Sequence, residues 1–325
     1  MTAATAASAI PATSVEPRDR LGVTLPLRDL GVGGPRVTLL GLGGYHIGWT
    51  TEILASATLE AALECGIRFF DTAESYGPMI SEERYGRLLS PYRDLLFLTS
   101  KTTALDATTA QSHLEGTLRR LKCDRIDLWH LHALTGPGDI DRRLAQGVLD
   151  YALRAREEGK IRHIGITGHT DPKALLHLMD HPAAGRKVLT ACMFPINPVD
   201  ASCAEGFVER VLPQALHLGL GVLAMKTLAD GHFFAAKDTT QGRVWSTEDP
   251  VVPNVLSLSE CFRYALSLPI SALVVGAEKP EYLLDKVALA RFFTPMNKNA
   301  RAEIIAKAAR FALPGNVEYY KQKPI

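Results

Sequence analysis

The sequence predicts a single α/β barrel, a (β/α)8 TIM barrel, and two observations lead to it. Apolar runs alternate with helical segments along most of the 325 residues, and eight such units can be counted. Three of the runs end abruptly in a charged or imidazole side chain, as barrel strands do where they meet an active face. An open doubly wound sheet would need fewer units, so we rank it second.

The beginning of the chain predicts a tail and a small hairpin. Residues 1–20 are dominated by Ala, Thr, Ser and Pro, which indicates a disordered tail, and residues 21–325 are assigned to the barrel domain. Two short apolar stretches within residues 21–34 end in the turn Gly31-Val32-Gly33-Gly34, a pattern typical of a hairpin. Residues 37–40 are the first expected core strand, followed by a glycine-rich loop over residues 41–46.

The remaining elements follow in regular alternation. Glycines 66, 159 and 219 end three of the helices, and Ser81 with two following glutamates predicts a helix start. The expected order is helix 58–65, a strand ending at Asp71, a helix from Ser81, strand 95–101, helix 108–121, strand 126–132, helix 144–158, strand 161–166, helix 172–179, strand 188–192, helix 204–218, strand 221–224, helix 258–268, strand 271–275 and helix 281–292.

Residues 230–254 are too long for an ordinary strand-to-helix connection. They follow the seventh strand and contain Phe233, Phe234 and Trp245, which would be costly to leave in water. The segment is therefore predicted to be a lid that orders over a bound cofactor. A permanently packed excursion and plain disorder are the alternatives.

Composition narrows the class of partner. A net charge of +1 gives no electrostatic reason to expect nucleic acid or a membrane surface, so a small molecule is expected. Five scattered cysteines without a C-x-x-C pair fit reduced thiols in the cytoplasm. No signal peptide or membrane-spanning run is recognisable in the sequence.

Polar side chains close three consecutive strands. Asp71, Lys101 and His132 end their runs, and Tyr76 lies in the loop after Asp71. Because strand ends share one face of a barrel, the four are expected to converge. Each alone could be structural, since an Asp can cap a helix, a Lys can extend to solvent and a His can be a satisfied core residue.

Together the four side chains could donate a proton to the oxygen of a substrate carbonyl. Tyr76 is expected to donate a proton, Lys101 to lower the pKa of Tyr76, and Asp71 to keep Lys101 charged. His132 would orient a substrate carbonyl. No side chain is a good hydride source, so a nicotinamide cofactor is implied.

These motifs resemble the aldo-keto reductase family. The resemblance is carried by Asp-Thr-Ala-x-x-Tyr-Gly at 71–77, Ser100-Lys101, Asp-Leu-x-x-x-His at 127–132 and Gly-Lys-Ile-Arg-x-Ile-Gly at 159–165. It implies a catalytic tetrad of Asp71, Tyr76, Lys101 and His132. It also implies an NAD(P)H-dependent oxidoreductase that interconverts a small carbonyl compound, such as an aldehyde, ketone or sugar, and its alcohol.

The resemblance also implies a cofactor site, with departures from the family pattern. Thr167-Gly168 replaces a common Ser-Asn pair, so the carboxamide contact is lost or moves to His169, and Met225 replaces a tyrosine that often stacks on the nicotinamide. NADP is favoured over NAD because Lys279 and Lys286 can supply charge where a family arginine is Tyr282. The expected cofactor residues are Thr167, His169, Met225, Lys226, Leu228, Gly276, Lys279, Tyr282 and Lys286.

Two other functions remain open from the sequence. A regulatory subunit could bind the cofactor with little turnover, although the intact tetrad argues against it. His130 and His132 also have the spacing of metal ligands on one face of a strand, as in barrel metallohydrolases. Lys101 would repel a cation, and a metal site would need further ligands, so no metal is expected.

Overall fold

The computed structural model describes residues 25–184, 188–231, 233, 236–237, 245–246, 255–312 and 317–321. The strands are β1 (Leu27–Asp29), β2 (Arg36–Thr38), β3 (Leu40–Gly43), β4 (Phe69–Asp71), β5 (Phe97–Thr102), β6 (Ile126–Leu131), β7 (Ile161–Thr167), β8 (Leu189–Pro195), β9 (Gly221–Met225), β10 (Ala236–Lys237), β11 (Trp245–Ser246) and β12 (Ala272–Val275).

Helices cover the outside of the strands. The α-helices are α1 (Gly44–Trp49), α2 (Glu52–Glu64), α3 (Ile80–Leu89), α4 (Ala107–Leu121), α5 (Pro137–Ala145), α6 (Val148–Glu157), α7 (Pro172–Asp180), α8 (Pro198–Ala201), α9 (Phe207–His217), α10 (Leu258–Leu266), α11 (Pro280–Arg291) and α12 (Lys298–Ala308).

Strands β3 to β9 pair in sequence order, and β12 pairs in parallel with both β9 and β3. The sheet is thus a closed barrel of eight parallel strands, which confirms the predicted (β/α)8 fold. Parallel strands need helical crossovers, and the helices bury both the outer sheet face and their own apolar sides.

The predicted N-terminal hairpin is confirmed, but its second strand was assigned wrongly. β1 pairs antiparallel with β2, so residues 36–38 belong to the hairpin and the first barrel strand is β3. The expected loop over residues 41–46 is instead the end of β3 and the start of α1. Glycine composition suggested a loop, but the barrel interior at Gly41 is filled by the ring of Phe69, which leaves no room for a Cβ.

The hairpin closes the bottom of the barrel. Leu30 and Val37 belong to the same buried cluster as the lower interior residues Phe69 and Leu128. Arg28 donates to three main-chain carbonyls beyond the end of α10 or within its last turn, those of Leu266, Leu268 and Ile270. The apolar layer lies at this lower end, while the polar strand ends lie at the other end.

Three helix predictions are corrected. The expected helix 144–158 is two helices, α5 and α6, because the chain turns at Gly147 with φ of 74°. Ser81 is not the N-cap of α3, which is Met79, and its hydroxyl bonds that of Thr72 inside the protein. A further helix, α12, follows the last expected one.

Two sequence predictions fall largely outside the described residues. The expected disordered tail, residues 1–20, lies there entirely. The expected lid does so for most of its length, including the side chains of Phe234 and Trp245. Within it, Phe233 is buried and β10 pairs antiparallel with β11.

Candidate active site

Asp71 and Lys101 form a buried ion pair at the upper ends of neighbouring strands β4 and β5. Lys101 Nζ lies 2.6 Å from Asp71 Oδ2 and donates a second bond, also 2.6 Å, to the carbonyl of Thr72. Thr99 Oγ1 donates to the other carboxylate oxygen at 2.5 Å. Burial lowers the pKa of Lys101, and Asp71 opposes that change. One carboxylate oxygen of Asp71 is thus bonded to the Lys101 ammonium, and the other accepts a bond from the Thr99 hydroxyl.

Tyr76 reaches this pair from the loop between β4 and α3. Lys101 Nζ lies 4.8 Å from the centre of the Tyr76 ring, and the His132 ring meets that ring edge-on at 5.7 Å between centroids. The loop can pass close to α1 because Gly77, with φ of 66°, packs directly on Gly48, where a Cβ would collide with the main chain. The structure therefore brings together all four residues of the expected tetrad.

Glu74 anchors the same loop. One of its carboxylate oxygens accepts bonds from the main-chain N–H and the hydroxyl of Thr103, both at 2.8 Å, and lies 3.4 Å from His113 Nδ1. These contacts tie the loop after β4 to the loop after β5. Tyr76 is consequently positioned by two strands rather than one.

The expected lowering of the Tyr76 pKa does not occur in the structure. Burial raises the pKa of Tyr76 well above its usual value, and Asp71, Glu74 and Asp230 raise it further. Lys101 faces the ring, but its charge is already compensated by Asp71. The phenol is therefore protonated at neutral pH.

His132 is buried beside the phenol and is uncharged. Burial lowers its pKa well below the usual value, and Lys101 and His169 lower it further. His130, two residues earlier on the same interior face, is also fully buried, and burial lowers its pKa in the same way. Gly165 on β7 makes room for the His130 ring, since a Cβ there would stand 2.4 Å from Nδ1.

The ends of β7 and β9 carry the first group of expected cofactor residues. Thr167 is buried and its hydroxyl accepts the main-chain N–H of Ala133, at 3.3 Å, next to His132. His169 is partly buried, and burial lowers its pKa to about 4. Met225 packs on the interior apolar cluster. Thr167 thus supports the tetrad, while Met225 forms an apolar floor.

The loop after β9 is strained. Lys226, Ala229 and Asp230 all have positive φ, which non-glycine residues rarely adopt, and Leu228 packs on the outer core. Lys226 Nζ lies 3.5 Å from Asp230 Oδ2. Thr227, between them, has a buried hydroxyl without a hydrogen-bond partner in the described part of the chain. Such clustered strain is found at ligand-binding segments.

The second group of expected cofactor residues follows β12. Lys279 Nζ lies 4.5 Å from the centre of the Tyr282 ring, and both residues are at least partly exposed. Lys286 behaves differently from the expectation, because its Nζ donates to the carbonyl of Gly276 at 2.5 Å and burial lowers its pKa. Lys279 therefore offers an accessible charge, whereas Lys286 holds the loop.

Comparisons with known proteins identify the chain. Residues 39–262, more than half of it, match the profile of the aldo/keto reductase family. The chain belongs to that family. It is 28% identical to an L-galactose dehydrogenase of Arabidopsis thaliana, over 64% of this chain and 66% of that protein, so the match spans about two thirds of the relative. It is 29% identical to a 6-dehydroglucose reductase of Novosphingobium aromaticivorans, over 69% and 76%.

A solved structure shows the same fold. An aldo-keto reductase from Bacillus halodurans, in its holo form, superposes with a TM-score of 0.69 at 21% identity, covering 87% of this chain and 96% of the other. As an aldo/keto reductase, the protein is an NAD(P)-dependent oxidoreductase that interconverts carbonyl compounds and alcohols.

The residues present fit a nicotinamide dinucleotide. The Thr227 hydroxyl, which has no hydrogen-bond partner among the described residues, and the Lys226 ammonium can bind a phosphate, and Met225 offers an apolar surface to a ring. Within the described ranges, no three His, Cys, Asp or Glu side chains gather into a set that could hold a metal ion. Among the same residues, no helix is long and apolar enough to cross a membrane.

Several contacts in the site escaped the sequence prediction. Thr99 lies two residues before Lys101 on the same strand face, so its contact with Asp71 could have been inferred from the alternation of side chains. Tyr45, whose ring meets that of Tyr76 edge-on at 5.4 Å, was passed over within the expected loop. Tyr320, which packs against His169, gave no local signal at all.

Proposed function

We propose that the protein reduces a small polyhydroxylated carbonyl compound, with Tyr76 as the proton donor. The observation that carries this is the contact of the Tyr76 ring with both the Lys101 ammonium and the His132 imidazole. The same residues run the reverse reaction, in which the phenol oxygen must accept a proton from an alcohol.

The roles follow from charge and burial. The neutral His132 can donate one hydrogen bond to the carbonyl oxygen and hold it near the phenol. Tyr76 gives its proton to that oxygen as negative charge develops there, and Lys101, kept charged by Asp71, stabilises the resulting phenolate. When bound, the reduced nicotinamide supplies the hydride that adds to the carbonyl carbon.

The raised pKa of Tyr76 favours reduction at neutral pH. A protonated phenol is ready to donate, whereas alcohol oxidation needs it deprotonated. Oxidation is therefore expected to increase as the pH rises towards 10, whereas reduction should stay nearly level over the same range because the phenol remains protonated. Rates in both directions from pH 6 to 10 test this, and parallel profiles would contradict it.

For the cofactor, we propose NADP over NAD. Lys279 is an accessible ammonium beside Tyr282, in the loop where the resemblance implies the adenosine phosphate. The expected partner, Lys286, would have to leave the Gly276 carbonyl to contribute. The preference therefore depends mainly on Lys279.

For the substrate, we propose a sugar or sugar-derived carbonyl. Two of its relatives carry sugar-related names, L-galactose dehydrogenase and 6-dehydroglucose reductase. Polar groups that follow the upper ends of the strands, including His132, His169 and Tyr76, can form hydrogen bonds with a ligand that has several hydroxyls. All five cysteines are free thiols, which supports a cytoplasmic location.

Steady-state turnover over aldehydes, ketones, aldoses and their alcohols, with NADPH and NADH separately, tests the proposal. Sugar-type substrates should give the highest kcat/KM, with NADPH preferred. Preference for simple aldehydes would refute the substrate class alone. Tight cofactor binding without turnover on any substrate would instead favour the regulatory function that the sequence left open.

A further inference from the structure

Residues 317–321, which we call the strap, pack on the upper barrel face beside the loops that follow β7, β8 and β9. Val317, Glu318 and Tyr320 are buried. A short 3-10 turn over Tyr319–Lys321 ends the strap. The strap lies far in sequence from the residues described below as its contacts, those after β7, β8 and β9.

One anchor of the strap is Asn197, the residue that begins α8. Its side-chain oxygen accepts the main-chain N–H groups of Val199 and Asp200, so its amide nitrogen faces the strap. That nitrogen donates to Glu318 Oε1 at 2.8 Å and to the Tyr320 hydroxyl at 3.2 Å. Tyr320 in turn donates to Glu318 at 2.6 Å.

The second anchor is an ion pair. Lys321 Nζ lies 2.6 Å from Asp200 Oδ1 and also donates to Glu318. Asp200 is buried and accepts the main-chain N–H groups of Phe207 and Val208 at the start of α9. Burial works against the charge on Lys321, but Asp200 and Glu318 outweigh it and raise the pKa of Lys321. The strap is therefore held by an ion pair whose carboxylate is fully buried.

The strap places one aromatic ring between two expected cofactor residues. The Tyr320 ring meets the His169 ring edge-on at 6.0 Å, and Lys226 Nζ lies 4.6 Å from the centre of the same ring. Asn197 reinforces this by donating to the carbonyl of Lys226 at 3.4 Å. The strap thus reaches both the loop after β7 and the strained loop after β9.

We propose that Tyr320 is a positioning residue of the cofactor site, which holds His169 and Lys226 in place for the bound dinucleotide. The inference rests on the proposed function, since it takes these two residues to contact the cofactor. Lys226 has a flexible stem, and its ion pair with Asp230, 3.5 Å away, fixes the ammonium from one side only. The Tyr320 ring face gives the ammonium a second, fixed contact.

The test is direct cofactor binding by Tyr320→Leu and Tyr320→Phe, measured by quenching of protein fluorescence. Leucine fills the space without a ring face, so its dissociation constant for NADPH should rise about tenfold. Phenylalanine keeps the ring and loses only the hydroxyl, so it should bind close to the wild-type value. Tyr92→Ala, an exposed tyrosine outside the strap, is the matched control and should change nothing.

Lys321→Met, which breaks the ion pair, should weaken NADPH binding in the same direction by a smaller factor. Wild-type affinity in Tyr320→Leu would overturn the inference. So would equal weakening in the leucine and phenylalanine variants, because the ring would then not matter. If the wild-type protein binds neither cofactor, the proposed function fails instead, so the two failures are distinguishable.

Discussion

The upper barrel face has two halves that are built differently. At the ends of β4, β5 and β6, three of the four expected catalytic side chains stand on or directly after a strand, and Asp71 and Lys101 are almost fully buried. At the ends of β7, β9 and β12, all the expected cofactor residues except Thr167 are at least partly exposed, and the loop after β9, which the strap contacts, contains three residues with positive φ. Chemistry needs atoms fixed to a fraction of an ångström, whereas a cofactor that enters and leaves needs loops.

The largest expected effect concerns the half at the ends of β4, β5 and β6, which we call the rigid half. Lys101→Met leaves Asp71 buried without its cation, so the free energy of unfolding should fall by about 3 to 5 kcal/mol. Urea unfolding measures this. The double variant with Asp71→Asn should recover much of the loss, and a single variant as stable as the wild type would show that this half does not depend on the ion pair.

The next prediction separates the effect of a substitution on turnover from its effect on cofactor affinity. Tyr76→Phe removes the proton donor while leaving its ring in place, so turnover should fall by at least ~10². Cofactor affinity should stay near the wild-type value, because phenylalanine keeps the ring and its contacts with Lys101 and His132. Turnover within a few fold of the wild type would exclude Tyr76 as the acid.

The buried histidines make the stability of the rigid half depend on pH. His130 and His132 have pKa values well below the ~6.5 of an unfolded chain. Below pH 6.5 the unfolded state therefore binds more protons, so stability is full above that pH and falls as the pH is lowered towards the folded values. Each histidine contributes a slope of ~1.4 kcal/mol per pH unit.

Replacing His130 by leucine isolates this contribution. Denaturant unfolding between pH 7 and pH 5 gives the free energy of unfolding at each pH. In the variant this free energy should change less steeply with pH than in the wild type, by a slope equivalent to about one bound proton. His113, whose pKa is raised by its bond to Glu74, acts in the opposite direction and remains in both proteins. An unchanged slope would mean that His130 titrates alike in the folded and unfolded states.

The smallest effect concerns the half at the ends of β7, β9 and β12, which we call the loop half. Lys279→Ala should weaken NADPH about tenfold and leave NADH unchanged, because one charged contact to a phosphate is lost. Lys286→Met is the matched comparison: it should lower stability through the Gly276 carbonyl while keeping the cofactor preference. If Lys286→Met weakens NADPH binding and Lys279→Ala does not, then Lys286 binds the phosphate after leaving the Gly276 carbonyl.

Much of the rigid half was predictable from local sequence. A strand alternates its side chains, and parallel strands put their ends on one face, so Asp71, Lys101 and His132 converge once the strands are recognised. The pKa of Tyr76 was predicted with the wrong sign. Burial and the nearby carboxylates depend on how the loop packs, and sequence adjacency does not report them.

The sequence by itself determined the eight-unit barrel, the presence of a hairpin and the four residues that converge on the upper barrel face, because period, strand ends and short motifs are local properties. Only the tertiary structure decided that Lys286 holds a loop, that His130 lies against Gly165, and that the strap reaches His169 and Lys226. These are contacts between residues distant in the chain. Their partners are set by packing, and a single sequence carries no local pattern that marks them.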